Sequence, residues 1–299
     1  MDKIDTYSLR GLCMLMIMIH HAYKVFVSDY GYPSNMIVNY WGDLGTGVFF
    51  FISGFGLFHS LTKSGNGLLE YLGGAIKKLL VPYVIIFAIS VSVMAVVNPS
   101  DMDLSLITKF FTLTIPYTTT WFFKVICALY LVSIFAFYSK ISESAKIGIV
   151  TLCVLLYFYF GKYVFHMAPY LFCTTINFPI GMLFAKVYRD RKVEKLEGLL
   201  GSVILFVLCL KFRDYPLALY SPFFSLICVF LCSFVDVSNG FFDYIGRNSL
   251  LFYLFHIAIL YDASLVTKNE WMFIGLIFLA TFIFVASYNW VKRRFSTDR

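Results

Sequence analysis

Ten predominantly apolar runs divide the chain, at residues 9–27, 41–61, 79–97, 121–138, 147–164, 169–188, 198–212, 216–236, 249–263 and 271–291. Most approach the roughly 20 residues that a helix needs to cross a hydrocarbon core. They are apolar all round rather than striped, and the polar residues gather in short connections. This pattern predicts an all-α polytopic membrane helix bundle of about ten transmembrane helices. No connection is long enough to form a soluble domain, so residues 1–299 read as a single integral membrane domain. The two widest gaps, 62–78 and 98–120, leave room for short interfacial segments. Gly65, Gly67, Gly73 and Gly74 punctuate the first, and Pro99 and Pro116 the second.

Composition sharpens the class. Hydrophobic residues make up 60% of the chain and charged residues 14%, which excludes an ordinary soluble globular fold. The net charge of +7 is no nucleic-acid signal, because most of its lysines and arginines lie in the short connections between apolar runs. They also orient the chain. With both termini on one side, that side collects 17 Lys and Arg, among them Lys3, Lys63, Lys140, Arg189, Arg293 and Arg299. The other side collects six: Lys24, Lys109, Lys162, Lys211, Arg213 and Lys268. The positive-inside rule then predicts cytoplasmic termini. The first run reads as an anchor rather than a cleaved signal peptide, since no small-x-small cleavage pattern follows it. The seven cysteines fall in apolar runs without zinc-like spacing, so no metal is expected.

The chemistry candidates are ionisable and polar groups inside these runs, where they cost a few kcal/mol each and mark function by default. The first run, LRGLCMLMIMIHHAYKVF, carries Arg10, His20 and His21. Arg10 and His21 are eleven residues apart, which places them on one helix face about 16 Å apart along the axis. His20 points about a quarter-turn away. The second run contains Gly45, Gly47, Gly54 and Gly56, with Ser53 beside Gly54 at mid-span. Close helix packing is the simpler reading of these glycines. Lys77 and Lys78 open the third run, either as cytoplasmic anchors or as point charges for a phosphate-bearing ligand. Trp121 opens the fourth. Lys124, one turn in, either snorkels outward or meets a carboxylate or substrate oxygen. In the ninth, Ser249, Tyr253 and His256 fall within a wedge of about 60°, either as an interhelical seam or as the lining of a polar cavity. His59, one turn from the cytoplasmic end of the second run, reads as snorkelling to the interface, and His166, Asp43, Asp236 and Asp243 carry no second signal.

Taken together, these segments resemble the acyltransferase 3 family of bacterial integral membrane O-acyltransferases. LRGL followed by HA places Arg10 and His21 at that family's spacing. GTGVFFFISGF (Gly45 to Phe55) is similar to its Gly, Phe-Phe and Ser-Gly-Phe pattern, and GRNSLLFYLFH (Gly246 to His256) resembles its late Ser, Tyr, His helix. KKLLVPY, Trp121 with Tyr130, and FPIG (Phe178 to Gly181) are softer matches. Three positions depart from the pattern. Gly73, Gly74 and Ala75 stand in the upstream turn where members carry paired arginines, Ile126 replaces a glutamate that follows the tryptophan, and the glutamate often found in the last span is absent, with Asn289 near its place.

The resemblance implies transfer of an acyl group, usually acetyl, from a coenzyme A thioester to a hydroxyl of a sugar or cell-surface glycan. The setting would be the bacterial cytoplasmic membrane, and acetyl-coenzyme A the donor co-substrate. His21 would act as general base, since a neutral imidazole accepts a hydroxyl proton near pH 7 and burial favours the neutral form. Transient acylation of His21 is the other route. Arg10, the family's functional partner of His21 in the first span, would pair with the donor's phosphates or with a carboxylate that holds the helix in place, and Lys77 and Lys78 would meet the nucleotide end of the donor. Ser249, Tyr253, His256, Ser53, Lys124 and Trp121 would line the cavity or hold the oxyanion. A transporter or flippase, with the same buried His, Arg and Lys as a relay, is the competing class. The chain shows no inverted repeat in its favour.

Overall fold

A computed structural model of the chain describes residues 3–26, 40–63, 65, 67–116, 118, 120–190, 192–211, 217–232, 235–267 and 269–296. Of the positions used above, Val27, Arg191, Phe212, Arg213, Pro216, Lys268 and Arg299 lie outside these. The described residues form helices and turns without a strand. In chain order they are α1 (Lys3–Phe26), α2 (Gly42–Lys63), α3 (Leu68–Val97), α4 (Ser105–Phe111), α5 (Trp121–Tyr138), α6 (Glu143–Tyr159), α7 (Asn177–Val187), α8 (Lys195–Lys211), α9 (Leu217–Leu231), α10 (Gly240–Arg247), α11 (Ser249–Val266) and α12 (Glu270–Ser296). An all-helical answer is what lipid demands, because a helix satisfies its backbone hydrogen bonds within itself.

Among the described residues, six helical segments are long and apolar enough to cross a membrane: Gly42–Lys63, Leu68–Val97, Trp121–Tyr138, Glu143–Val164, Pro169–Val187 and Glu270–Arg294. Leu217–Leu231 and Ser249–Leu260 are shorter apolar helices. In α1, Arg10, His20, His21 and Lys24 dilute the apolar run. The described residues are thus those of a helical membrane protein.

Two details differ from the pattern-based boundaries. α3 starts at Leu68, within the stretch read as a glycine-punctuated gap, and runs through Gly73 and Gly74. Its 30 residues span about 45 Å, well beyond the hydrocarbon thickness of about 30 Å. Lys77 and Lys78 are therefore on the body of a helix, and both are exposed. The short helix α10 was not visible as an apolar run, since GFFDYIGR has only one buried edge, at Ile245 and Gly246.

The chain divides into two compact units. Unit 1 comprises Met1–Cys13, Asp43–Ala75 and Val125–Arg247. Its helices meet backbone to backbone at glycines. A Cβ on Gly54 would overlap the carbonyl of Phe178, and one on Gly181 would overlap that of Phe51, so α2 and α7 touch reciprocally. The same exchange joins α1 to α10: Gly11 lies against the Phe242 carbonyl and Gly246 against that of Tyr7. Ser8 and Asn239 reinforce that crossing, the Asn239 N–H donating to Ser8 Oγ at 3.2 Å. α8 packs along α9, where Gly201 admits the Phe230 ring.

Unit 2 comprises Met14–Gly42, Ile76–Lys124 and Asn248–Arg299. Here side chains make the contacts. α11 and α12 pair through Phe255 stacked on Phe284, with centroids 4.0 Å apart, and Phe252 edge-on to Phe282. Asn289 Nδ2 donates to Asn248 Oδ1 at 2.9 Å at the end of the same pair. Tyr83 is 1% exposed. It stacks on Phe123 and donates to the Phe110 carbonyl at 3.0 Å, which pins the segment around α4.

Candidate active site

The site is assembled in unit 2 around two imidazoles. α1 carries His21 on its final turns, and α11 carries His256, which is completely buried. His21 Nδ1 and His256 Nε2 share a hydrogen bond of 3.0 Å across 235 residues of sequence. The ring planes are 17° apart, with centroids 5.3 Å apart. His256 Nδ1 donates to the Phe252 carbonyl at 2.7 Å, one turn back along α11. Tyr253, also buried, lies edge-on to His256 at 5.9 Å, and Phe122 closes on Tyr253 at 5.1 Å. Ser249 is buried as the first residue of α11, on the face shared with Tyr253 and His256. A polar group without partners in such surroundings costs about 1–3 kcal/mol, so this matched set is a built feature.

His20 occupies a different environment. Its ring is 8% exposed and packs on the backbone of Gly42, where a Cβ would overlap it. Its neighbour His21 reaches His256, while His20 fills the space that a glycine leaves. The neighbouring rings are tilted at 59° with centroids 5.3 Å apart.

The other residues singled out by sequence are placed as follows. Lys124 Nζ donates to Thr114 Oγ1 at 2.7 Å, within the loop that follows α4. Trp121, half-buried, sits edge-on to Phe122 at 6.1 Å. In unit 1, Ser53 is 8% exposed beside the Gly54 crossing. Arg10, also in unit 1, has a buried Nε without a hydrogen-bond partner. Among the described residues, no group of three His, Cys, Asp or Glu side chains is arranged to hold a metal ion.

One polar cluster escaped the sequence reading. In unit 1, Asn177 Nδ2 donates to the Thr174 carbonyl and to Ser221 Oγ, both at 2.9 Å. Asn177, Thr174, Ser221 and Ser225 are fully buried, and Gly47 lies against them without room for a Cβ. Asn177 Oδ1, Thr174 Oγ1 and Ser225 Oγ have no protein partner. The available signal was an asparagine inside the apolar run 169–188, immediately before the FPIG match.

With this geometry in view, comparison with known proteins adds one finding. A family model described as an acyltransferase domain, that of the acyltransferase 3 family, matches residues 5–290, nearly the whole chain. No curated protein and no solved structure matches the chain.

Proposed function

Because the chain belongs to the acyltransferase 3 family, we propose that it is a membrane O-acyltransferase in which His21 is the general base. The acyl group, acetyl in our reading, passes from a coenzyme A thioester to a hydroxyl of a sugar or cell-surface glycan. The observation that carries this reading is the delivery of two imidazoles, from α1 and α11, to within 3.0 Å of each other, His256 fully buried and His21 partly so. A hydroxyl near pH 7 is a poor nucleophile until a base takes its proton, and a buried neutral imidazole is suited to that step.

The reaction proceeds in balanced steps. His21 accepts the hydroxyl proton as the acceptor oxygen bonds to the thioester carbonyl carbon. The carbonyl oxygen takes up negative charge, which Tyr253 and Ser249 would stabilise. As the intermediate collapses, the C–S bond breaks and the protonated His21 returns its proton to the sulfur, releasing coenzyme A. Arg10 is assigned to an anionic group of the donor, which would supply the partner that its buried Nε lacks. The exposed Lys77 and Lys78 would meet the nucleotide end as point charges.

In the same reading, residues 1–299 form one acyltransferase domain of about ten spans in the bacterial cytoplasmic membrane, with both termini in the cytoplasm. The test is thiol release from acetyl-coenzyme A by membranes containing the protein, with and without a cell-envelope glycan extract. Acceptor-dependent release of free coenzyme A, with acetyl appearing on the glycan by mass spectrometry, is the expected result. Movement of a solute with the thioester intact would identify a transporter instead.

A further inference from the structure

We infer that His256 is a positioning residue that fixes the tautomer of His21, so that the catalytic base is one particular atom, His21 Nε2. This rests on His21 being the base. The argument begins at a backbone carbonyl. An oxygen of that kind only accepts, so the proton between His256 and Phe252 belongs to His256 Nδ1. A neutral imidazole carries one N–H, which leaves a lone pair on His256 Nε2. That lone pair lies 3.0 Å from His21 Nδ1, so Nδ1 donates to it. The lone pair of His21 is then on Nε2, the one ring nitrogen of the pair left to receive a proton.

The fixed end of this chain is main chain. Phe252 and His256 are four residues apart on α11, so the carbonyl that anchors the ring is one that the helix already holds in place. Its second lone pair takes the ring N–H. A carboxylate in the same position would orient the ring as well, but would bury a net charge. Two neutral imidazoles and a peptide carbonyl give the same orientation with no net charge, which suits an apolar interior.

The arrangement also answers what happens to the charge. When the acceptor hydroxyl gives its proton to His21 Nε2, the His21 Nδ1–H bond to His256 becomes charge-assisted and strengthens. The imidazolium is stabilised while it exists. When Nε2–H passes to the departing sulfur, the pair returns to its starting tautomers. His256 Nδ1 keeps its proton on the Phe252 carbonyl throughout, and His256 touches neither substrate nor leaving group.

Two measurements on the full-length protein test this. The first is the kinetics of His256→Gln and His256→Ala. The Gln amide oxygen reaches the position of Nε2 and accepts from His21 Nδ1, so His256→Gln keeps kcat within about 10-fold of wild type. His256→Ala lets His21 turn and change tautomer, and kcat falls about 100-fold with KM for the thioester little changed. The second is ¹⁵N magnetic resonance of the histidine-labelled wild-type protein, which has five histidines; the His21 signal is assigned by its loss in His21→Ala. Protonated Nδ1 and unprotonated Nε2 are expected. A wild-type His21 with its proton on Nε2 overturns the proposal, whether or not the variants fold. So does a His256→Ala protein with normal kcat while His21→Ala is inactive, an outcome that leaves the base itself standing. An active His21→Ala would instead remove the base assignment on which the proposal rests.

Discussion

Both units pack aromatic rings between elements, Phe58 against Phe137 in unit 1 and Phe255 against Phe284 in unit 2, but they differ in what accompanies that packing. In unit 1 the closest contacts are between backbones, at Gly54 with Phe178, Gly181 with Phe51, Gly11 with Phe242 and Gly246 with Tyr7. In unit 2 they are between side chains: the Phe255–Phe284 stack, the Tyr83–Phe123 stack and the His21–His256 pair. Between lipid-immersed helices, packing and hydrogen bonds replace the hydrophobic drive that operates in water. Small residues give the tightest packing, so unit 1 gains a rigid frame but leaves little room for chemistry at its crossings. Unit 2 uses larger groups and can place titratable rings between helices. Polar atoms follow the same division. Both nitrogens of His256 have partners, whereas three oxygen atoms around Asn177 have none.

Substitutions test this contrast in descending order of effect. Gly54→Val drives a branched side chain into the Phe178 carbonyl, which cannot move without displacing α7. A loss of about 3 kcal/mol is expected, measured as a fall in melting temperature and in folded yield in detergent. Asn177→Leu removes two hydrogen bonds and leaves Ser221 Oγ without its donor, for a loss of about 2 kcal/mol in the same assay. Phe284→Leu keeps apolar volume in unit 2 but removes the stack on Phe255, and about 1 kcal/mol should be lost. Thr174→Val keeps the shape and deletes a hydroxyl that has no protein partner; no loss is expected, and stability should rise by about 1 kcal/mol. If Phe284→Leu costs more than Gly54→Val, the division of labour between backbone and side-chain contacts is wrong.

Much of the fold was readable because lipid imposes one rule on every segment. The run 121–138 coincides with α5, 249–263 and 271–291 fall on α11 and α12, and residues 198–211 fall on α8. Boundaries failed where a local signal was outvoted. Gly73 and Gly74 suggest a break, yet α3 continues through them, since two glycines cost only about 2 kcal/mol of helix propensity across a 30-residue helix. α10 was missed because eight mixed residues carry no span-length signal.

The site divides in the same way. Helical period alone groups Ser249, Tyr253 and His256 and aligns Arg10 with His21, since those relations lie within one helix. The pairing of His21 with His256 joins positions 235 residues apart, and no periodicity orders two helices against each other. Nor does it show that Gly42 seats the His20 ring. The preference for His21 over His20 rested on the family's spacing, and the structure supplies distinct surroundings for the two rings.

The most direct test of the account is therefore a comparison of adjacent histidines. Release of free coenzyme A from acetyl-coenzyme A is measured in the presence of acceptor for membranes carrying wild type, His21→Ala or His20→Ala at matched expression. The account predicts a loss of about 100-fold or more for His21→Ala, with His20→Ala within a few-fold of wild type. A His21→Ala protein that releases coenzyme A at the wild-type rate would contradict it.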